Sequence, residues 1–521
     1  MSLGDSFSEF ISFDSRKSKI ASGEKISLGQ DYSGAIIIFL LFGSFLILLA
    51  VLIRLQIFQG SYYREISSNN RTRENSIHAP RGSIYDRNGI LLAGSEGAFR
   101  LRNCDSKAVC QSTILSRDDG LKLESKGLPK DSYLEVDSQR FYTKGESLGS
   151  VLGYVSEITA PELKKYNSYS LGDRIGRGGL EQEYESHLKG KDGQELIEVD
   201  AIGRKVRTLG IIEPKSGKNL NLTLDANLQT ASYKALEGRK GAVVVSNPKT
   251  GEVLALVSSP SFDPNNFTLL TSDNESRDHK INEILTNPNQ PLFNRAIAAT
   301  YPPGSTFKIV PSIAGLESGK INSQTTIDDP GILIIGQYKF PNWKFLRDGG
   351  TQGVLNVVGA LQKSNDIFFY RVGEWTGDEI LFRWAKKFGL GNRLGVDLPG
   401  EAAGVIPDSI WRKANGRDWY LGDIYHAAIG QGDILVTPLQ ANVWTSVIAN
   451  GGSLCKPILN SELKSVNNAT NCKDLGIKKE NIDLVRRGME AACTNGGTAY
   501  PLFGFSVHNS RFVENGNVKI T

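Results

Sequence analysis

The segment 301–308, YPPGSTFK, places a serine and a lysine at a spacing that could do nucleophilic chemistry. Two prolines and a glycine precede Ser305, and the apolar residues after Lys308 recur at helix-compatible spacing, so we predict Ser305 in the first turn of a buried helix. Ser305 and Lys308 would then share one helical face. A serine hydroxyl needs a base to take its proton, and a desolvated lysine at the positive end of a helix dipole can be neutral enough to do so. The pair predicts a nucleophile with its base, although S-x-x-K alone recurs by chance.

The chain is long enough for two or more domains. Its 521 residues exceed what one core usually supports, and 40% hydrophobic with 22% charged residues is typical of a globular protein. Sixty basic against 56 acidic residues leave a net charge of +4, too little to indicate a nucleic-acid partner. The five histidines lie far apart without zinc-ligand spacing, so we predict no metal site or cofactor and take each as an ordinary surface or core residue: His78, His187, His279, His426 and His508.

The five cysteines are too few for a disulfide scaffold. Cys104 could pair with Cys110, and Cys455 with Cys472, which leaves Cys493 over. An extracytoplasmic location would permit these bonds without requiring them.

A membrane helix is predicted near the N-terminus. Residues 1–33 are polar and predict a short flexible tail, whereas residues 34–53 contain no charge. At about 1.5 Å per residue this run spans roughly 30 Å, the thickness of a bilayer core. It is too long and starts too late for a cleavable signal peptide, and a buried soluble helix is the weaker alternative. The flanking basic residues balance, so the positive-inside rule does not set the orientation.

The rest of the chain predicts an α+β fold with the helices packed on a sheet. Residues 54–215 mix strand-like runs with turns, including a strand, an Asn-Gly turn and a second strand between His78 and Ala93. The glycine-rich run 176–185 leads into a helix, and we interpret it as a loop rather than a phosphate cradle. A helix through Leu236, a hairpin over 241–257 and a helix-rich segment from 360 to 392 follow.

Motifs in a fixed order make this sequence resemble the class B penicillin-binding proteins. Segment 301–308 and segment 363–370, KSNDIFFY, resemble the first two of the three family motifs S-x-x-K, S-D-N and K-T-G. The resemblance covers roughly residues 70 to 515 and is greatest to the elongation type, penicillin-binding protein 2. Further matching segments lie at 80–82, 86–89, 179–181, 248–255, 260–264, 287–295, 418–423, 429–432 and 437–440.

The resemblance implies a D,D-transpeptidase that cross-links peptidoglycan stem peptides during cell-wall elongation. By position, Ser305 would attack the carbonyl between the two terminal D-alanines and form an acyl-enzyme, with Lys308 as the acylation base. Ser364 would hydrogen-bond Lys308 and pass a proton to the leaving amine. Asp366 stands where many relatives have asparagine, and we interpret it as a trait of the elongation subgroup. β-Lactams would acylate Ser305, because their strained amide resembles the D-alanyl-D-alanine bond.

The implied organisation is a cytoplasmic tail (1–33), a single transmembrane helix (34–53), an extended β-rich, dimerisation-like pedestal (54–215) and a transpeptidase domain with a β-lactamase-like sheet and helices (216–521). Since stem peptides lie outside the bacterial cytoplasmic membrane, that domain is expected outside as well. The segment before it leaves no room for a glycosyltransferase. The resemblance therefore implies a separate membrane glycan polymerase as partner.

The third motif is not found where the family has it. Lys249-Thr250-Gly251 has the right letters, but it precedes Ser305 in a predicted hairpin turn, so we assign it no catalytic role. In relatives the motif follows a segment resembling 497–499, and this sequence ends at Thr521, about where the motif is expected. We therefore expect a C-terminally truncated transpeptidase domain. Because losing one oxyanion-hole donor costs on the order of a hundredfold to a thousandfold in rate, we expect this form to be nearly inactive.

Alternative functions use the same serine. A β-lactamase or a D,D-carboxypeptidase would pass the acyl group to water, but these enzymes usually lack the long segment between membrane and catalytic domain. A β-lactam sensor or scaffold typically carries several membrane helices, whereas this sequence predicts one. A bifunctional synthase would need a glycosyltransferase domain, and the segment before the transpeptidase domain is too short for one. A division-type class B transpeptidase stays open.

Overall fold

The computed structural model describes residues 32–104, 110–129, 132–166, 169, 172–199, 205–268, 274–463 and 471–499, together with a strand pair at 513–514 and 517–518. The chain divides into two compact units, Met1–Arg73 and Glu74–Thr521. Most of the predicted tail, residues 1–31, lies outside the described residues.

The first unit is helical. Helix α1 (Tyr32–Ile53) continues into a π-helical turn (Arg54–Phe58), and helix α2 (Gly60–Arg71) follows. Segment Ile36–Phe58 is long and apolar enough to cross a membrane, with a hydropathy of 3.2, and its side chains are exposed. The chain thus has a helix of the kind that the charge-free run predicts, and that helix extends past Ile53 into the π-helical turn.

The next part of the chain is rich in strands and short helices. Its elements are β1 (Thr72–Ile77), β2 (Ile84–Tyr85), β3 (Leu91–Cys104), β4 (Cys110–Ser116), α3 (Arg117–Lys126), β5 (Ser132–Tyr142), α4 (Glu146–Leu152), β6 (Tyr154–Glu157), α5 (Ala160–Leu163), β7 (Arg174–Arg177), α6 (Gly179–Glu183), α7 (Glu185–Leu188), β8 (Gly193–Val199) and β9 (Lys205–Ile212).

The long strand β3 organises this part of the chain. It pairs antiparallel with β2, β4 and β5, and β2 pairs in parallel with β10 (Leu220–Asn221) at the start of the next part. A second sheet has the order β1-β8-β9, and β6 pairs with β7. The predicted Asn-Gly turn is confirmed: Ile84 lies opposite Ala93, and Gly89 has a φ of +80°, the left-handed region such turns require.

The remaining part mixes many helices with strand pairs. Its elements after β10 are α8 (Ala226–Ala235), β11 (Gly241–Ser246), β12 (Val253–Ser259), α9 (Asn265–Thr268), α10 (Asn274–Thr286), a 3₁₀ turn (Gly304–Lys308), α11 (Ile309–Glu317), β13 (Ile327–Asp329), β14 (Ile332–Ile335), β15 (Tyr338–Pro341), α12 (Trp343–Asp348), β16 (Gly353–Leu355), α13 (Val357–Gln362), α14 (Asp366–Lys387), α15 (Ser409–Ala414), α16 (Leu421–Ala428), α17 (Pro438–Asn450), β17 (Ser453–Cys455), β18 (Cys472–Asp474), α18 (Lys479–Ala492), β19 (Val513–Glu514) and β20 (Asn517–Val518).

Helix α11 lies at the centre of the largest apolar core. Every residue from Ile309 to Leu316 is buried, as expected for a helix that is apolar on all sides. Helices α13, α14, α17 and α18 contribute side chains to the same core, among them Phe369 and Trp444. The α+β class and the buried helix after Lys308 are confirmed, whereas the domain boundaries at 33, 53 and 215 stay predictions.

One of the two suggested cysteine pairs is bonded in the structure. Cys455 and Cys472 form a disulfide that joins β17 to β18, and Cys493 is free. Cys104 and Cys110 are register partners at the ends of β3 and β4, but their side chains lie outside the described part of the structure.

Candidate active site

Ser305 lies in a helical turn that runs directly into the buried helix. This turn, Gly304–Lys308, is 3₁₀, and the α-helix begins at Ile309. Pro311 favours the 3₁₀ geometry, because it has no N–H to bond the carbonyl of Phe307. The prediction that Ser305 lies in the first turn of a buried helix is therefore confirmed, with 3₁₀ rather than α-helical bonding in that turn. The Ser305 side chain is exposed, and its hydroxyl makes no hydrogen bond to any described residue.

Lys308 is buried behind Ser305 and contacts the second motif. It is 1% exposed, and its Nζ donates to the Asp366 Oδ1 at 2.6 Å, the Ser364 carbonyl at 2.9 Å and the Ser364 Oγ at 3.2 Å. The ring centroid of Phe369 lies 5.5 Å from Nζ. The structure therefore brings together three of the four predicted residues around one amine, with Ser305 one turn before it.

Burial lowers the pKa of Lys308 below its usual value, although the charge and hydrogen bond of Asp366 oppose the effect. A larger fraction of Lys308 is therefore neutral near pH 7 than for a lysine in water. A neutral amine has a free lone pair, so Lys308 can accept a proton from a hydroxyl brought within reach.

The Ser364 backbone is in the left-handed region, with a φ of +49°. Ser364 lies between the end of α13 and the start of α14. The next residue, Asn365, caps α14 by accepting a hydrogen bond from the Phe368 N–H at 2.7 Å. This conformation lets Ser364 present both its carbonyl and its hydroxyl to Lys308. A left-handed residue other than glycine is uncommon, and sequence reasoning gave no signal for it here.

Asp366 connects Lys308 to the N-terminus of α12. Its Oδ2 accepts a hydrogen bond from the Trp343 backbone N–H at 2.9 Å, while its own N–H donates to the Asn342 side chain at 3.1 Å. The carboxylate is buried and cannot turn away from Lys308 without losing a second bond. Sequence reasoning missed Asn342 and Trp343, since they form the start of a helix of only six residues, too short to give a periodic pattern.

Glycine allows the loop after α16 to pack directly on the 3₁₀ turn. Gly430 accepts a hydrogen bond from the Gly304 N–H at 2.8 Å, and a Cβ at Gly430, whose φ is +73°, would overlap the Gly304 carbonyl oxygen. Tyr301 and Val436 exchange two backbone hydrogen bonds. The segment 429–432, Ile-Gly-Gln-Gly, therefore helps to hold the segment that carries Ser305.

Lys249-Thr250-Gly251 lies in the turn between β11 and β12. The Gly251 N–H donates to the Asn247 carbonyl at 2.9 Å, and Gly251 has a φ of +76°, as a tight turn requires. The true third motif was expected after residues 497–499. Residues 500–512, 515–516 and 519–521 lie outside the described part of the chain, so the structure does not test that expectation.

Three residues in the strand-rich part of the chain lie close enough together to bind one metal ion. His78, Asp173 and Asp192 each place one ligand atom within 4.8 Å of the others, although their sequence spacing gave no such signal. The His78 Nδ1 and an Asp192 oxygen are 3.2 Å apart, and Asp192 also accepts the Ala79 N–H at 2.8 Å. These contacts satisfy the carboxylate without an ion, and we assign no metal site here.

Comparison with protein families places the chain clearly. Residues 241–507 match the penicillin-binding protein transpeptidase domain, and residues 115–222 match the penicillin-binding protein dimerisation domain. The chain is 35% identical to the peptidoglycan D,D-transpeptidase MrdA of Acinetobacter baumannii over 446 residues, which is 77% of this chain and 65% of that protein. It is 34% identical to MrdA of Escherichia coli K12 over 459 residues, 79% of this chain and 71% of that protein. The chain thus spans about two thirds of the length of these relatives.

Solved structures agree. A complex of the penicillin-binding protein PBP2 with MreC from Helicobacter pylori matches with a TM-score of 0.72 and 28% identity, covering 83% of this chain and 86% of that chain. A peptidoglycan synthase complex that coordinates polymerization and crosslinking matches with a TM-score of 0.69 and 29% identity, covering 91% and 87%. The chain therefore belongs to the class B penicillin-binding proteins, in the group of penicillin-binding protein 2 and MrdA.

Proposed function

We propose that this chain carries the acylating site of a peptidoglycan D,D-transpeptidase of the elongation type, with Ser305 as nucleophile. The observation that carries the proposal is the buried Lys308 amine, which lies 3.2 Å from the Ser364 Oγ and one turn after an exposed serine. An exposed hydroxyl next to a desolvated amine is what acyl transfer to serine needs. The MrdA relatives at 34–35% identity support the choice of reaction.

In the proposed mechanism, neutral Lys308 takes the proton of Ser305 while the Ser305 Oγ bonds to the carbonyl carbon between two D-alanines. The tetrahedral intermediate collapses when the C–N bond breaks, and the proton returns from Lys308 through the Ser364 hydroxyl to the leaving amine. The acyl-enzyme and free D-alanine result. An amine from a second stem peptide then attacks the ester, and its proton returns to the Ser305 oxygen by the same route.

Asp366 has a positioning role in this mechanism. It holds Nζ by a 2.6 Å contact and is itself held by the Trp343 N–H. Its charge raises the pKa of Lys308 and so opposes the free-base form that burial favours. We infer that Asp366 fixes the direction of the Lys308 amine. The same contact lowers the fraction of Lys308 that is neutral and able to act as a base.

We further propose a single-pass protein of the bacterial cytoplasmic membrane, with its tail inside and the pedestal and transpeptidase parts outside. Segment Ile36–Phe58 supplies a suitable span, and stem peptides are outside. Partners would include a membrane glycan polymerase and a protein like MreC, since relatives were solved in a peptidoglycan synthase complex and with MreC. β-Lactams would bind as substrate mimics.

Single-turnover labelling tests the proposal. The purified chain is incubated with benzylpenicillin for hours, and intact mass with peptide mapping identifies any adduct, so that a slow reaction is still detected. We expect one penicilloyl group on Ser305 and none in Ser305→Ala. A chain that folds but remains unmodified, or an adduct that persists in Ser305→Ala, would overturn the nucleophile assignment. With a D-alanyl-D-alanine donor and an acceptor amine, a transpeptidase gives cross-linked product and a carboxypeptidase gives free acid.

A further inference from the structure

A network of three buried polar side chains and one half-buried glutamine adjoins the Ser364 turn. Its members come from four separate segments of the chain: Asp329 ends β13, Asn342 follows β15, Gln352 precedes β16, and Asn365 caps α14. Asp329 is 3% exposed, Asn342 0% and Asn365 1%. The proposed mechanism assigns none of these residues a chemical step.

Asp329 is the hub of this network. Its Oδ2 accepts hydrogen bonds from the Asn342 Nδ2 at 2.7 Å, the Gln352 N–H at 2.9 Å and the Asn365 Nδ2 at 2.9 Å. Its Oδ1 accepts the Gly331 N–H at 2.8 Å. All these donors are neutral amides. Hydrogen bonds from oriented amide groups, rather than a positive charge among the described residues, therefore stabilise the buried carboxylate.

Gln352 and Asn342 connect the hub to the backbone of the second motif. The Gln352 Oε1 accepts from both Asn342 and Asn365, at 3.0 and 2.8 Å, and its Nε2 donates to the Lys363 carbonyl at 3.1 Å. The Asn342 Oδ1 accepts the Asp366 N–H at 3.1 Å. The backbone on both sides of Ser364 is therefore bonded to members of this network, Lys363 to Gln352 and Asp366 to Asn342.

A left-handed serine persists only where its surroundings determine the conformation. Ser364 itself is only half-buried, and its contacts with Lys308 are single hydrogen bonds. Its neighbours Lys363 and Asp366 are bonded to Gln352 and Asn342, and Asn365 is itself a member of the network. The network, rather than the Ser364 side chain, is thus what fixes the direction of the Ser364 hydroxyl.

We propose that Asp329, Asn342, Gln352 and Asn365 are positioning residues for acylation, which hold Ser364 in the conformation that reaches Lys308. The proposal rests on the proposed function for its kinetic consequence, but its structural part stands alone. Asp329→Asn is the sharpest variant. An asparagine offers one acceptor and one donor group, so either the three donors at Oδ2 or the Gly331 N–H must face an NH₂, and at least one buried donor is left unpaired.

The structural part is tested by hydrogen exchange of the amides over 363–368. In the folded protein the Asp366 and Phe368 N–H groups donate to Asn342 and Asn365. We expect Asp329→Asn to lose protection there by about tenfold or more, since buried bonds protect amides until the segment opens. Asn356→Ala is the matched control, because Asn356 caps the neighbouring helix α13 through the Gly359 N–H but has no bond to the network. Unchanged protection over 363–368 in Asp329→Asn overturns the inference whether or not the chain acylates.

The kinetic part is tested by a double-mutant cycle with benzylpenicillin. We expect Asp329→Asn to lower the acylation rate constant about tenfold with little change in the dissociation constant of the non-covalent complex, and Asn356→Ala to leave both nearly unchanged. In a Ser364→Ala background, Asp329→Asn should cost less than about twofold, because its effect acts through Ser364. Fully additive losses would overturn the inference. If the parent chain never acylates Ser305, the proposed function fails instead, and the exchange result alone decides about the network.

Discussion

Two buried ion pairs of this chain have opposite chemistry. Before the catalytic part, Glu181 is fully buried between Arg81 and Arg140, with N–O distances of 2.8 and 2.7 Å. Burial works against its charge, but the two guanidinium groups prevail and keep the pKa of Glu181 below its usual value. In the candidate site, a similarly buried cation is a lysine, Lys308, with a lowered pKa.

The difference lies in the cation. An arginine stays charged in a protein interior and forms several directed bonds, so the Glu181 cluster is suited to holding α6 against the sheet. A lysine shifts its pKa readily when buried, so the Lys308–Asp366 pair can change protonation during a reaction. The comparison indicates that burial of charge stabilises position in one region and supplies a base in the other.

Removing the titrating amine should have the largest effect. Lys308→Met keeps the approximate shape of the side chain, and we expect the acylation rate constant to fall about 10²- to 10⁴-fold, the usual contribution of a general base. Single-turnover labelling measures it. Lys308→Met alone leaves the buried Asp366 carboxylate without its cation and should lower folding stability. The Lys308→Met/Asp366→Asn double variant leaves no such charge, so it should regain stability but not activity. Recovery of activity as well would contradict the base assignment.

Breaking the arginine cluster should affect stability instead. Glu181→Gln leaves the buried Arg140 without the carboxylate that it contacts, although Arg81 keeps its contact with Glu185, and we expect a loss of about 3–5 kcal/mol in the free energy of unfolding. Denaturant titration measures it. The exposed pair Glu237–Arg239 provides the control, since Glu237→Gln should change the midpoint very little. Per folded molecule, Glu181→Gln should acylate at the parent rate; a large loss would mean that this cluster also acts on the site.

Two glycines sharpen the contrast between the regions. A Cβ at Gly430 would overlap the Gly304 carbonyl, and a Cβ at Gly179, whose φ is +52°, would overlap the Val151 carbonyl. Each alanine variant should lose about 1–3 kcal/mol of stability through backbone strain. Only Gly430→Ala should also slow acylation, because it displaces the turn that carries Ser305. Equal slowing by both variants would refute this distinction.

The pH profile should show the smallest change. If neutral Lys308 is the base, the acylation rate rises with pH as the amine loses its proton. Asp366 favours the charged form, so removing its charge in Asp366→Asn lowers the pKa of Lys308 further and moves this rise to lower pH. A rise that stays in place or moves to higher pH would count against Lys308. The profile is recorded as the rate constant of acylation at each pH.

Periodicity and motif order predicted much of this molecule. The apolar run after Lys308 predicted the buried helix α11, and the Asn-Gly turn predicted the β2–β3 pair. Motif order predicted that Lys308 contacts Ser364, as it does in the structure, whereas the catalytic roles stay predictions. These features are local, or their residue types carry the chemistry directly. The local sequence was therefore enough to predict these features.

Features set by tertiary contact were not predicted. The packing of Gly430, from a distant loop, on the turn that carries Ser305 is one such contact, and the left-handed Ser364 depends on Asp329, Asn342 and Gln352. Asparagine, glutamine and aspartate in loops are usually solvated, so nothing in their local sequence marks them as buried. The convergence of four segments becomes visible only in the fold.

The burial of Lys308 beneath an exposed Ser305 has a consequence for ionic strength. Dissolved ions weaken attraction between charges at the surface, but they do not enter the interior where Lys308 contacts Asp366 at 2.6 Å. The basicity of this amine should therefore change little with the salinity of the surrounding medium, even though the hydroxyl from which it would take a proton is exposed to that medium.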